Sequence, residues 1–363
     1  MKNRKMNVFF TVLLGLFIIG CGSVEDEKQA IVIQEGDLSI HFLELGNKYV
    51  GDCVFINYGD IEIIIDAGSK QESATTIFNY IDKYIDGKLD FVIATHAHED
   101  HIAGFYTRTV SGTKVKGILE AYDIDIIIDF PMKNNTTATY NNYVSDRDKA
   151  VKNGATHYNA LQCYNNTDGA KREWDLGGGV YLEILYNYYY EHETEDKRDE
   201  NDYSVCVRIV QGDKQYIFTG DLEEDGENKL VDYYAENHGG LGHCVLYKAG
   251  HHGSNTSSHE KLMAEISPEY ICVCTCVGTT QYTTTKGGIF PTQNFINRIA
   301  PYTDAVYLTT LATDYSAGKF EPFNGNIVFL VQNGNCSIIC SNNNLKLKDT
   351  KWFVDNRKLP PDW

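Results

Sequence analysis

Three histidines and two carboxylates fall within six residues, His96-Ala-His-Glu-Asp-His101, directly after the apolar run Phe91-Val-Ile-Ala94. Histidine is scarce elsewhere, with 11 in 363 residues, so this density demands a chemical reason. A buried strand that ends in such a loop turns several side chains toward one point. Neutral imidazole and carboxylate are the ligands that borderline and hard divalent ions prefer, and one loop cannot aim four of them at a single tetrahedral ion without strain. Two adjacent ions are the natural solution. The chain must therefore fold so that other strand ends converge on this loop.

The surrounding pattern supplies such strands. Short apolar stretches at residues 38–45, 50–58 and 61–66 form a meander, the last two joined by a Gly59-Asp60 turn. Ile77, Ile81 and Ile85 then recur at spacing four, a helical stripe over residues 71–85. Further strands are predicted at residues 124–130, 180–186, 203–210, 214–219, 244–247, 270–277, 305–308 and 327–332. Helices are predicted at residues 140–152, 223–236, 258–266 and 292–299. Strand pairs early and strand–helix units later imply an α/β chain built as two mixed sheets face to face with helices outside, a four-layer αββα sandwich.

Thr95-His-Ala-His-Glu-Asp-His101 resembles the HxHxDH signature of the metallo-β-lactamase superfamily, and other landmarks follow in order. Asp66 in Ile65-Asp-Ala-Gly68 is similar to the aspartate that braces the metal loop. Phe218-Thr-Gly-Asp221 resembles the strand end whose aspartate bridges both ions, and Lys248-Ala-Gly-His-His-Gly-Ser254 the late histidine motif. With Asn201-Asp-Tyr-Ser204, the set is similar to ComEC-type competence nucleases and to phosphorylcholine esterases. The resemblance implies that His96 and His98 hold the first ion, Asp100 and His101 the second, and that Asp221 bridges them. His251 or His252 completes the second site. The assignment taken here makes His251 the ligand and His252 the donor to the substrate oxygen, with the reverse open. Many members carry another histidine midway; His157 and His192 are the only histidines in that interval and lack its context, so Asn201 takes the position and leaves the first site ligand-poor.

The chemistry implied is metal-dependent hydrolysis of a compact phosphodiester or phosphomonoester. Two divalent ions, zinc from the nitrogen ligands and manganese as the alternative, would activate water and polarise the substrate oxygen. Asp100, Asp221 and His252 would act at the reacting atoms, with Asp66, Asn201 and Ser204 supporting them. Rival activities are a ComEC-type nuclease for extracellular DNA and a lactonase or β-lactamase-like hydrolase.

Lys2, Arg4 and Lys5 precede an apolar stretch from Val8 to Ile19, too short for a comfortable membrane span, and the run closes on Ile18-Ile-Gly-Cys21. This resembles a bacterial lipobox, whose cysteine carries the lipid. The expected organisation is a signal at residues 1–20, a tether at 21–36 anchored through Cys21, a hydrolase domain at 37–345 and a tail at 346–363. The location implied is the cell envelope, at the surface or in the periplasm, with the membrane as partner through the lipid. Those three cations are the only charges of the leader, so removing it takes the net charge from −18 to −21. Such an acidic chain disfavours extended nucleic acid, which is gripped by lysines and arginines that release counterions. None of the nine cysteines after Cys21 forms a Cys-x-x-Cys pair. Cys272, Cys274 and Cys276 alternate on one face of a predicted strand and read as small packing residues, while Cys336 and Cys340 are close enough in sequence to pair. Residues 279–289, rich in Thr and Gly, are either a loop over the site or a plain surface loop.

Overall fold

A computed structural model describes residues 36–110, 112–192 and 199–363. The leader, Cys21 and all of the tether except Gly36 lie outside the described residues.

The strands in chain order are β1 (Leu38–Phe42), β2 (Val54–Tyr58), β3 (Ile61–Ile65), β4 (Lys88–Ile93), β5 (Arg108–Val110), β6 (Thr113–Val115), β7 (Asp123–Asp129), β8 (Thr156–Asn159), β9 (Glu173–Gly177), β10 (Val180–Ile184), β11 (Val207–Gln211), β12 (Lys214–Phe218), β13 (Leu246–Lys248), β14 (Tyr270–Val277), β15 (Val306–Asp314), β16 (Lys319–Pro322), β17 (Ile327–Gln332) and β18 (Asn335–Cys340). They build two eight-stranded sheets, ordered β18-β17-β1-β2-β3-β4-β7-β8 and β16-β15-β14-β13-β12-β11-β10-β9, with β5 and β6 a separate hairpin. Both sheets are mixed: β1, β2 and β3 pair antiparallel, whereas β3, β4, β7 and β8 run parallel. With helices outside, this is the four-layer αββα sandwich expected from the sequence.

Period-two alternation explains the layers. In β14, Cys272 and Cys274 enter the core between the sheets, while Ile271 and Val273 face the helices packed outside. Inter-sheet contacts include Phe42 stacked on Phe218 at 6.4 Å and Tyr216 against Phe329 at 5.6 Å. The outer core joins Leu230, Val231 and Tyr234 of helix Glu224–His238 to Leu262 and Met263 of helix Glu260–Ile266 and Phe295 of helix Gln293–Ile299. Each fully buried side chain of this size stabilises the fold by about 1.5–3 kcal/mol. Helix Glu224–His238 begins with Glu224, Asp225 and Glu227 and ends at Gly239 with φ +78°, acid at the amino end and glycine past the carboxyl end.

Helix Ser73–Ile81 is shorter than the predicted 71–85, and β11 starts at Val207 because Glu200–Tyr203 forms a 3₁₀ turn. Residues 346–363, expected as a tail, are folded: Leu347 and helix Lys351–Asn356 insert Leu347 and Phe353 into the outer core. Cys336 and Cys340 are free thiols on β18.

Candidate active site

The histidine loop is fixed by backbone contacts before any side chain acts. β3 ends at Ile65, and Asp66 turns the chain with φ +59°. Gly68 then meets the loop so closely that a Cβ there would sit 1.6 Å from the Asp100 carbonyl oxygen. The Asp52 amide donates to that same oxygen at 3.0 Å, and the Ala67 amide to the His101 carbonyl at 2.7 Å.

Asp66 braces the loop with both carboxylate oxygens. Oδ1 accepts from the Thr95 amide at 2.8 Å; Oδ2 accepts from Thr95 Oγ1 at 2.7 Å and lies 2.8 Å from His101 Nδ1. These bonds settle two tautomers. His101 donates Nδ1–H to a carboxylate, so Nε2 is the nitrogen left to face the site and carries a lone pair whenever the imidazole is neutral. Thr95 spends its only proton on Asp66, so toward His96 Nδ1, 3.1 Å away, it accepts. His96 Nε2 therefore carries a lone pair and faces His98 Nδ1 at 3.1 Å. Burial holds His96 well below the ordinary imidazole range, the neutral form a metal requires.

A second strand end meets this loop. β12 ends at Phe218, and Gly220, with φ +55°, passes where a Cβ would lie 2.8 Å from Ser204 Oγ. Ser204 Oγ accepts the Asp221 amide at 3.0 Å and lies 3.4 Å from His96 Nδ1. Asp221 Oδ2 thereby reaches 3.1 Å from His101 Nε2 and 3.3 Å from His252 Nε2.

The late motif follows β13 as the turn Gly250–Gly253, in which His251 and His252 both have positive φ, +44° and +56°. Two successive non-glycine residues in this region store backbone strain and point the two rings differently. His252 is fully buried; its Nδ1 donates to the Cys274 carbonyl at 2.9 Å and lies 3.0 Å from Asp52 Oδ1, so Nε2 faces inward, 3.6 Å from Asp100 Oδ2. His251 is half-buried at the rim, with Nδ1 2.9 Å from Thr256 Oγ1 and 3.6 Å from Glu223, and Nε2 3.8 Å from Asp221.

The donor set fits divalent ions. His101 Nε2, His252 Nε2 and Asp221 Oδ1 are buried and make no hydrogen bond of proper geometry among the described residues. Asp52, Asp66, Asp100 and Asp221 oppose one buried lysine, Lys248, which contacts Asp52 and lies 3.7 Å from Asp221 Oδ1. Without ions, protons fill the deficit. Burial depresses His101, but Asp221, Asp66 and Asp52 outweigh it and hold the imidazole up at about 10. The same balance, led by Asp221 and Asp52, holds His252 well above its usual value. Asp52, His101, Asp221 and His252 place ligand-type atoms within 4.8 Å of one another. Within that group Asp52 is engaged by Lys248 and by His252 Nδ1, whereas Asp100 Oδ2 faces the free Nε2.

The sequence pattern of the metallo-beta-lactamase superfamily matches residues 46–107, the stretch that holds Asp52, Asp66 and the whole histidine loop. The chain carries a metallo-beta-lactamase superfamily domain. Within it Asp52, His101, Asp221 and His252 form a buried group of the kind that holds a metal ion. Competence protein ComA of Neisseria gonorrhoeae is 42% identical over 99 residues, 27% of this chain and 12% of that protein. ComE operon protein 3 of Bacillus subtilis (strain 168) is 24% identical over 275 residues, 71% of this chain and 29% of the relative. The chain thus covers less than a third of either relative's length. Among solved structures, the metallo-beta-lactamase fold protein YhfI from Bacillus subtilis is 13% identical, covering 78% of this chain and 99% of that one, with a TM-score of 0.42.

Within this metallo-beta-lactamase domain, His96, His98, Asp100, His101, Asp221 and His252 come together, and His251 stands at the edge. Asn201 does not reach the loop histidines; its Nδ2 donates to Glu223 Oε1 at 3.2 Å, and Glu223 faces His251. His157 is bound to Asp129 at 2.8 Å and His192 stacks on Tyr188 at 4.1 Å, so neither serves the site. Sequence reasoning missed Asp52, the role of Lys248, Glu223 and Tyr282. Lys248 had a signal: a lysine closing a buried strand immediately before Ala-Gly-His-His.

Proposed function

We propose that this protein is a metal-dependent phosphoester hydrolase of the cell envelope, tethered through Cys21 and acting on compact esters. The observation that carries the chemistry is the pair of buried, orphaned Nε2 atoms of His101 and His252 aimed at one oxygen of Asp221. Their orientation supports reversing the assignment made from sequence: His252 with Asp100 and His101 would hold one ion, His96 with His98 the other, and Asp221 would serve both. The nitrogen donors favour zinc, with manganese the alternative. Bound ions would supply Lewis acidity and a lowered water pKa.

The chain's own residues do the rest. Asp66 and the Cys274 carbonyl lock the tautomers, and Lys248 offsets the carboxylates beneath the site. His251, held by Thr256 and facing Glu223, is placed to donate to a substrate or leaving-group oxygen. A cavity of about 290 Å³ over the cluster, its lining including Asp100, Asp221, His251, Tyr282 and the Lys70–Glu99 pair, suits a compact ester. Beside it a second cavity of about 640 Å³ is lined by Asp202, Glu223, Glu224 and Asp225, a surface that repels a polyanion. Among the described residues no helix is long and apolar enough to cross a membrane, and the anchoring reading rests on the leader sequence alone.

The test is elemental analysis followed by turnover of a chromogenic phosphodiester, single-stranded DNA and a lactone by the zinc-loaded chain. Phosphodiester turnover that exceeds DNA cleavage at physiological salt is the expected result. Dominant DNA cleavage overturns the compact-ester reading, and turnover of the lactone alone overturns the phosphoester reading.

A further inference from the structure

The loop between β14 and β15 is tied down at several points and lines the active-site cavity with Gln281 and Tyr282. It closes on itself through the Gly278 amide and the Phe290 carbonyl, 3.0 Å apart. Gln281 Oε1 accepts the Val50 amide at 2.9 Å, which fastens the loop to the approach of β2. From the other side Arg357 donates to the Ile289 carbonyl at 2.6 Å and the Pro291 carbonyl at 2.8 Å, its guanidinium lying 4.7 Å from the Trp352 ring. Residues 346–363 thus brace the loop.

Tyr282 sits at the tip of this braced segment. Its side chain is 53% exposed, so core packing does not explain it. Its hydroxyl donates to Asp100 Oδ2 at 2.5 Å, and its ring meets Phe290 at 5.8 Å, the residue that also packs on His251 and His252. Asp100 Oδ2 is the oxygen that faces His252 Nε2. Were that oxygen to hold a cation, it would have less charge to offer the phenol, and the Tyr282 hydroxyl would be a positioned donor at the cavity wall. Lys70 also lines the cavity, held by Glu99 at 2.5 Å and lying 4.9 Å from the Tyr49 ring.

We propose that Tyr282 is a substrate-contacting catalytic residue whose hydroxyl donates a hydrogen bond to an anionic oxygen of the substrate, with Arg357 as the positioning residue that holds its loop. This rests on the phosphoester reading for the identity of that oxygen. The experiment uses the full zinc-loaded chain as wild type, Tyr282→Phe, Arg357→Met and Arg357→Lys. It measures kcat and KM on a phosphodiester and a lactone, calorimetric affinity for inorganic phosphate, bound zinc and melting temperature. Tyr282→Phe is expected to lower kcat/KM about 10- to 100-fold and to weaken phosphate binding several-fold, with bound zinc and melting temperature unchanged. Arg357→Met raises KM with kcat nearly retained, and Arg357→Lys restores part of the loss. Unchanged kcat/KM and phosphate affinity in Tyr282→Phe overturn the proposal. If the lactone alone is turned over, the phosphoester reading falls, and the Tyr282→Phe ratio on the lactone still decides the residue's role.

Discussion

The two halves of the metal cluster are built differently. On the His101 and His252 side every imidazole is buried and locked through Nδ1, one by Asp66 and one by the Cys274 carbonyl with Asp52 beside it, and two carboxylates face the free nitrogens. On the other side His96 meets the hydroxyls of Thr95 and Ser204, His98 is half-buried at the cavity with its Nδ1 against His96 Nε2, and neither His157 nor His192 arrives to complete the set. Outer partners that fix ring orientation commonly alter metal affinity 10- to 100-fold. On the two-ion reading proposed above, the closed half would be the tight position and the open half the exchangeable one.

Four measurements break or sharpen that contrast. Asp221→Asn keeps the size and removes the charge shared by both halves, so turnover should fall by about 10³-fold or more and bound metal should drop in both positions. Full activity in that variant ends the two-ion reading. His252→Ala should lose about one equivalent of metal, while His251→Ala should keep both and lose turnover about 10²–10³-fold, roughly 2.7–4 kcal/mol of barrier. Bound metal and kcat measured side by side decide it, and retention of metal by His252→Ala restores the opposite assignment. Asp52→Asn removes the partner of Lys248 and the orienting oxygen beside His252 Nδ1. Metal affinity should weaken about 10- to 100-fold with a lower melting temperature, read by competition with a chelator and by calorimetry. The smallest effect concerns the two positions themselves: stepwise chelation of the wild type should show two phases separated by about tenfold in affinity. A single phase means the halves are equivalent.

The same physical distinction governs what the sequence disclosed. Strands buried on both faces, such as β3, β4, β14 and β17, announce themselves as apolar runs. The edge strands did not: every residue of β16 is exposed, β18 alternates exposed with half-buried residues, and β9 buries only Leu176, so their apolar pattern is absent or thin. In the site, His96 to His101 and Asp221 were legible because the loop and strand-end motifs are contiguous. Asp52 and Tyr282 were not, because they reach Asp100 and its neighbours through tertiary contacts across 48 to 182 residues. Between His251 and His252 the choice lay in backbone dihedrals, where two positive φ values direct one ring inward and the other to the rim.

The contact at Gly68 has a consequence for how the protein meets its metal. The histidine loop is clamped by main-chain bonds to Asp52 and Ala67, against a glycine with no room for a Cβ. Its ligands are therefore templated by the polypeptide rather than gathered by the ion. A scaffold of that kind would give up little conformational entropy on loading, so a metal could be taken up and released without the domain passing through an unfolded chain.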